Sequence, residues 1–294
     1  SLEANMFVHG NNLEQKEKHQ TKYRDADSRR YLVEIRERYN QWKSANEELV
    51  GPTADAGAND SEIIAERVRL LNDYKEFLDQ QHYAEKFDSR SNLHSSVLEE
   101  FMYYLFRDIV RGISTTALIG KSHSFKDVFF RAPSYKEMVK TPHALVEIKD
   151  HDFAIGASVK ATMKCEGSVT AEEHNWDIPA VAIECKTYLD KTMLQDVSTA
   201  AEQLKQKNPN AMYIVVAEWL KLTESVNLKK YKIDQIYVLR KQKNTDREFR
   251  YDAGYQKNPI YADVVEHCFN SVREFLTADW EGGISHGLDR GFLM

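Results

Sequence analysis

Cysteine is scarce in this chain, and long apolar runs are missing altogether. Three cysteines in 294 residues, Cys165, Cys185 and Cys268, include no Cys-x-x-Cys pair. This excludes a disulfide-stapled scaffold and a structural zinc site, and it points to a reducing compartment, the cytoplasm by default. No stretch approaches the ~20 apolar residues of a membrane span, and the first residues lack the hydrophobic core of a signal peptide, so no membrane association is expected. An excess of positive charge is missing too, since 40 Lys and Arg face 46 Asp and Glu for a net charge of −6. That excludes little, because nucleic-acid binding depends on the local field, and carboxylates that hold a cation lower the net figure. There is no internal repeat and no low-complexity tract.

What is present suits one substantial core. A main domain is expected over residues 91–294, with a helical N-terminal region over 1–90 that reads as a scaffold or partner-facing unit. Ser1 to Asn5, ahead of Met6, are left out of the fold expectation. Ser28 to Leu49 reads as a helix, Gly51 to Asn59 as a break, and Ser61 to His82 as a second helix, with Ile64, Val68, Leu71, Tyr74 and Leu78 at near-helical spacing. A third and more apolar helix starts near Ser95, a candidate N-cap, and stops at Gly112. Strands are predicted at Val128–Phe130, Phe153–Ile155, Ala180–Cys185, Met212–Ala217 and Gln235–Leu239. The order of helix, three strands, helix and two strands predicts an α/β fold, a mixed sheet flanked by helices.

The densest chemical signal is Ala180-Val181-Ala182-Ile183-Glu184-Cys185-Lys186, preceded by His151-Asp152-Phe153-Ala154-Ile155-Gly156. Residues two apart on a strand share a face, so Glu184 and Lys186 project together while Val181, Ile183 and Cys185 face a core. Two acids and a lysine in this arrangement suit metal-dependent phosphodiester hydrolysis. Glu-x-Lys alone is weak, with about two chance copies expected in so charged a chain. Glu14-Gln15-Lys16 sits in a polar stretch with no strand around it. Glu147-Ile148-Lys149, paired with Asp127, is a complete rival. The context favours Glu184, because a helical pattern from about Leu189 to Leu204 follows Lys186, whereas another strand follows Lys149.

On this reading Asp152 and Glu184 coordinate Mg²⁺, the Cys185 backbone carbonyl is a third ligand, and Lys186 orients the attacking water. Asp152 is preferred to Asp150 because it leads directly into an apolar strand. Glu99, in the apolar helix, is a candidate third acidic residue and sits nearer than Glu100 to the face formed by Leu98, Met102 and Leu105, with solvent exposure as its alternative. His123, His143 and His151 lack the spacing of a zinc or His-Asn-His site and are expected to be structural or polar-surface histidines. Basic segments from Lys121 to Arg131, including Lys126, and from Arg240-Lys241-Gln242-Lys243 to Arg247 and Arg250 are candidates for phosphate contact.

Four segments together carry a resemblance: His94 to Phe101, Lys149 to Gly156, Ile178 to Leu189, and Val215 to Glu218. Through them the chain resembles a subunit of type II restriction endonucleases of the BbvCI kind, in the PD-(D/E)xK nuclease superfamily. The resemblance implies a restriction-endonuclease-like fold, Mg²⁺ dependence, cleavage of double-stranded DNA at a short near-palindromic site, and a companion DNA methyltransferase guarding that site. It also implies either a homodimer or a heterodimer in which each related subunit nicks one strand. His151 stands where the motif's proline would precede Asp152. Other readings are a repair or RNA-directed nuclease on the same fold and a subunit that recognises DNA without cutting it. A helical interaction protein would instead leave Asp152, Glu184 and Lys186 apart in space.

Overall fold

The N-terminal third is helical because its apolar residues recur at helical spacing between strongly charged faces. In the computed structural model, which describes residues 2–87, 92–243, 252–280 and 284–293, these helices are α1 (Leu2–Met6), α2 (Val8–Glu17), α3 (Ala26–Glu48), α4 (Asp60–Leu78) and α5 (Gln81–Phe87). Asp25 caps α3 by accepting the Ser28 amide at 3.1 Å. Helix α1 begins inside the segment left out of the fold expectation, and it packs against the first strand of the sheet.

Helix α6 (Ser96–Ile113) is buried nearly all round. Ser95 holds the N-cap position, but its backbone is helical and its side chain makes no cap bond, so the predicted hydroxyl cap is not formed. Glu100 on α6 is fully buried. It accepts hydrogen bonds from the Gly10 amide at 3.0 Å, the Tyr39 hydroxyl at 3.2 Å and the Tyr104 hydroxyl at 2.6 Å. Three donors on α2, α3 and α6 thus converge on one carboxyl, which satisfies a group that would be costly to bury alone.

Five strands form one sheet in the order β1-β2-β3-β4-β5. They are β1 (Leu118–Phe130), β2 (Ala144–Lys164), β3 (Ala171–Leu189), β4 (Met212–Leu220) and β5 (Gln235–Val238), with the short helix α7 (Tyr135–Met138) between β1 and β2. The first three run antiparallel, while β3, β4 and β5 are parallel. Parallel strands need a crossover, and α8 (Lys191–Lys207) supplies it between β3 and β4, capped by Asp190 accepting the Met193 amide at 2.8 Å. Helices α9 (Ala262–Thr277) and α10 (Ile284–Arg290) follow the sheet.

β1, β2 and β3 extend well past their predicted bounds. Much of the extra length lies in two antiparallel ribbons, one pairing Ser124–Phe130, which contains the predicted Val128–Phe130, with Ala144–Lys149 and the other pairing Ala157–Lys164 with Ala171–Ile178, while β1 also gains Leu118–His123. Their side chains are largely exposed and mixed in charge, so the sequence carries little apolar alternation to reveal them. Phe125 and Trp176 join the ribbons with ring centroids 5.2 Å apart.

The sheet buries both faces. Val181, Ile183 and Cys185 pack on one side with α6, α9 and a continuous run of buried side chains from Leu13, Leu32 and Trp42 in the helical region. Ala182, Tyr213 and Val215 pack on the other side against Leu194, Val197 and Leu204 of α8. An ion network ties α4 to the parallel strands: Glu218 on β4 lies 3.1 Å from Lys75 Nζ and 2.9 Å from Arg240 Nη2, with all three side chains buried.

Candidate active site

The site forms where β2 leaves β3. The pairing of β2 with β3 starts at Phe153↔Ile183. The next inward-facing amide of β3, that of Cys185, instead donates to the Asp152 carboxylate at 2.9 Å. Against β1, the register passes from Gly120↔Ala154 to Ser122↔His151, so β2 spends three residue steps where β1 spends two. Such a bulge re-aims side chains, and it falls at His151, Asp152 and Phe153.

Glu184 lies 8% exposed behind Asp152. Its Oε1 accepts from the Tyr213 hydroxyl at 3.0 Å, and His151 Nδ1, with its proton on that nitrogen, donates to the same oxygen at 3.1 Å. Glu99 of α6 completes a chain of carboxyls, Glu99 to Asp152 to Glu184, each in hydrogen-bonding reach of the next. Lys186 sits beside Asp152 and Glu184, and Lys121 of β1 sits beside Glu99. A cavity of about 460 Å³ is lined by Glu99, Lys121, His123, Asp152, Cys185 and Lys186, among others. A larger cavity of about 650 Å³, lined by Leu222, Val226, Tyr231 and Ile236, contains none of these residues and lacks their chemistry.

Burial and mutual repulsion dominate the electrostatics. Burial, reinforced by the neighbouring Glu184 charge, pushes the Asp152 carboxyl up to about 6. Burial and then Asp152 drive Glu99 well above the usual carboxylate range. Burial also acts upward on Glu184, but hydrogen bonds from His151 and Asp152, with the charge of Lys186, hold it below its ordinary value. The opposed directions follow from more buried negative charge than the neighbouring lysines balance.

This donor set fits a hard divalent cation, because it is all oxygen and lacks the positive charge to balance it. Among the described residues no three His, Cys, Asp or Glu side chains are already spaced as a ligand cage. Two carboxylates with a backbone carbonyl leave the remaining positions to water, which is how Mg²⁺ is commonly held. The Cys185 carbonyl faces the same strand edge as its amide, toward Asp152.

Asp152, Glu184, Lys186 and Glu99 thus come together, and Glu100 lies apart in its own buried bonds. The rival Asp127 and Glu147 are cross-strand partners, but both are exposed on the first ribbon. His151 was expected to be structural, and the fold instead sets it on Glu184. Tyr213, which reads in sequence as a core residue of β4, was not anticipated at all. Its position is fixed by pairing opposite Ala182, a relation no local pattern carries. Among the basic segments, Lys121 enters the cavity, whereas Arg240 is buried on Glu218 and so is removed from DNA contact. Lys241 and Lys243 pair with Asp263 and Glu224 at the surface, and Arg247 and Arg250 lie outside the described residues. His123 pairs with Asp150 at 2.6 Å on the cavity rim.

Comparison with known proteins bears on this arrangement. A family model described as Bpu10I restriction endonuclease matches residues 90–293. Among solved structures, the native BbvCI A2B2 tetramer at low resolution is similar with a TM-score of 0.68 and 20% identity, covering 94% of this chain and 98% of that one. At that identity the likeness establishes a shared fold, the mixed sheet with flanking helices of a restriction endonuclease. No curated protein matches the chain.

Proposed function

Since this chain belongs to the Bpu10I restriction endonuclease family, and with it to the type II site-specific deoxyribonucleases, we propose that it cuts double-stranded DNA at a short near-palindromic site by the PD-(D/E)xK chemistry of Glu99, Asp152, Glu184 and Lys186. The observation that carries the proposal is the convergence of Glu99, Asp152 and Lys186 on one cavity, with Glu184 in hydrogen-bonding reach of Asp152.

Asp152, Glu184 and the Cys185 carbonyl would hold Mg²⁺, with Glu99 adding an oxygen around them. When bound, Mg²⁺ supplies Lewis acidity toward the phosphoryl group and acidifies the water it orients. Lys186 would hold the attacking water in line and stabilise the charge that grows on the phosphoryl oxygens. His151 and Tyr213 would fix the Glu184 carboxylate in one rotamer, and the bonds from His151 and Asp152 would favour its ionised form. One such site serves one phosphodiester, so a double-strand cut calls for a second copy or a related subunit. The BbvCI structure, an A2B2 tetramer, sets a precedent for such assembly. The helical region 1–90 would then support subunit contact or hold DNA. The enzyme would act in the bacterial cytoplasm, where a companion methyltransferase would protect host copies of the site.

Incubation of supercoiled plasmid and phage DNA, with Mg²⁺ or with EDTA, tests the proposal. Discrete fragments should require Mg²⁺ and disappear in Lys186→Ala and Glu184→Ala. Nicked circles alone would mean that a partner subunit is needed for the second strand. A Glu184→Ala enzyme that cuts like wild type would refute the assignment.

A further inference from the structure

The N-terminal helices supply part of the wall of the catalytic cavity. Asn5, Val8, Asn11, Asn12 and Gln15 line it together with Ala4. Their three- and four-residue spacing places them along one face of α1 and α2. Four of these six side chains are carboxamides. Among the described residues, the amides of Asn5, Asn11 and Gln15 bond no other protein group, and Asn12 uses only its oxygen, accepting from Lys16 Nζ at 3.2 Å. Donors are therefore left free at the cavity that holds the catalytic carboxyls.

The approach of this wall is built into β1. Gly120 has φ +125, and a Cβ there would lie 2.4 Å from the Asn5 carbonyl oxygen. Only glycine both adopts that backbone and lets α1 come so near.

The choice of amides has an electrostatic reason. A lysine in this wall would be drawn into ion pairs with Glu99 or Asp152. A carboxylate would set more negative charge beside Glu99 and Asp152 on the same cavity. A carboxamide does neither, and its N–H₂ donates to a phosphate or sugar oxygen. A cavity of about 460 Å³ admits one small unit of a ligand and not a duplex. Groups that line it meet the nucleotide at the reacting phosphate.

We infer that the amide face of α1 and α2 binds the sugar-phosphate backbone of the strand being cut, beside the scissile phosphate. The inference rests on the nuclease function proposed above.

The test compares wild type with the Asn11→Ala/Gln15→Ala double variant, the Asn11→Asp/Gln15→Glu double variant, and Lys121→Ala. Cut sites are first mapped on phage DNA. Affinity is then read by fluorescence anisotropy on a labelled duplex spanning one mapped site, with Ca²⁺ in place of Mg²⁺. The alanine pair should bind at least about tenfold more weakly, given two lost bonds to a charged group. It should cut the same sequences and melt at the same temperature, and the acidic pair should bind more weakly still. Neutral donors displace no counterions, so the alanine pair should keep the wild-type salt slope, whereas Lys121→Ala should lower it by about 0.9.

Wild-type affinity in the alanine pair would overturn the inference, and so would a changed set of cut sequences, which would mean base reading. If wild type cuts, Lys186→Ala does not, and the alanine pair behaves as wild type, this inference alone fails. If wild type neither binds nor cuts, the nuclease proposal falls and takes this inference with it.

Discussion

His151 and Tyr213 meet on a single oxygen. They come from β2 and β4, which are not adjacent in the sheet, yet both lie within 3.1 Å of Glu184 Oε1, and their own polar atoms are 3.3 Å apart. The strand that carries Glu184 runs between them, so the carboxylate is held from both sides.

Loss of either partner should weaken cation binding more than the chemical step. His151→Ala is expected to raise the Mg²⁺ concentration for half-maximal cleavage by roughly 10- to 100-fold, the range typical for residues that orient a ligand. Tyr213→Phe should do the same to a smaller degree. A Mg²⁺ titration of cleavage rate checks both, and an unchanged midpoint in His151→Ala would remove that residue from the site.

The acid side of the pH profile should be set by Asp152. Its carboxyl stands at about 6 without cation, so below that pH protons compete with Mg²⁺ for Asp152. Cleavage at limiting Mg²⁺ should fall as pH drops through about 6, and saturating Mg²⁺ should move the fall to lower pH. A profile that ignores Mg²⁺ concentration would contradict this.

The same shift has an opposite sign for stability. A carboxyl whose value is raised on folding holds its proton more tightly in the folded chain, so its contribution is intact at low pH and is lost as pH rises through about 6. In EDTA at pH 8, Asp152→Asn should therefore be more stable than wild type, by about 1–3 kcal/mol, while cutting nothing. Added Mg²⁺ should raise the melting temperature of wild type and leave the variant nearly unmoved. Thermal melts with and without Mg²⁺ decide the matter.

Glu218 should be among the costliest polar residues to remove. It neutralises Lys75 and Arg240 in a buried setting, and deleting one partner of such a network leaves uncompensated charge, at about 3–5 kcal/mol. Glu218→Ala should shift the urea midpoint downward by a corresponding amount, with Glu218→Gln less affected because it keeps an acceptor for Arg240. Equal stability of Glu218→Ala and wild type would show that the network is dispensable.

Much of the site is legible in the sequence because its key pair is local. Glu184 and Lys186 sit two apart on an apolar strand, and α8 follows within a few residues, so period and context suffice. Asp152 is legible by its entry into Phe153-Ala154-Ile155. Glu99 is half legible, since a helical wheel separates it from Glu100 but cannot say what faces it. His151 and Tyr213 are not legible. The bulge in β2 turns His151 onto Glu184, and a bulge has no sequence period. The ribbons are hidden for a related reason: backbone pairing holds them, and their exposed side chains are under no demand to alternate. The carboxamides of α2 were obscured by a charged stretch that reads as a solvated terminus.

Those ribbons differ from the rest of the chain in how freely they can change. A substitution on β3 near Glu184 disturbs packing on two faces at once, and one on α6 disturbs the shared core of the helices and the sheet. Along Ser124–Phe130 and Ala157–Lys164 most side chains touch solvent, so new residues there leave the catalytic strands as they were. Descendants of such a chain could therefore diversify on their ribbons while inheriting the chemistry unaltered.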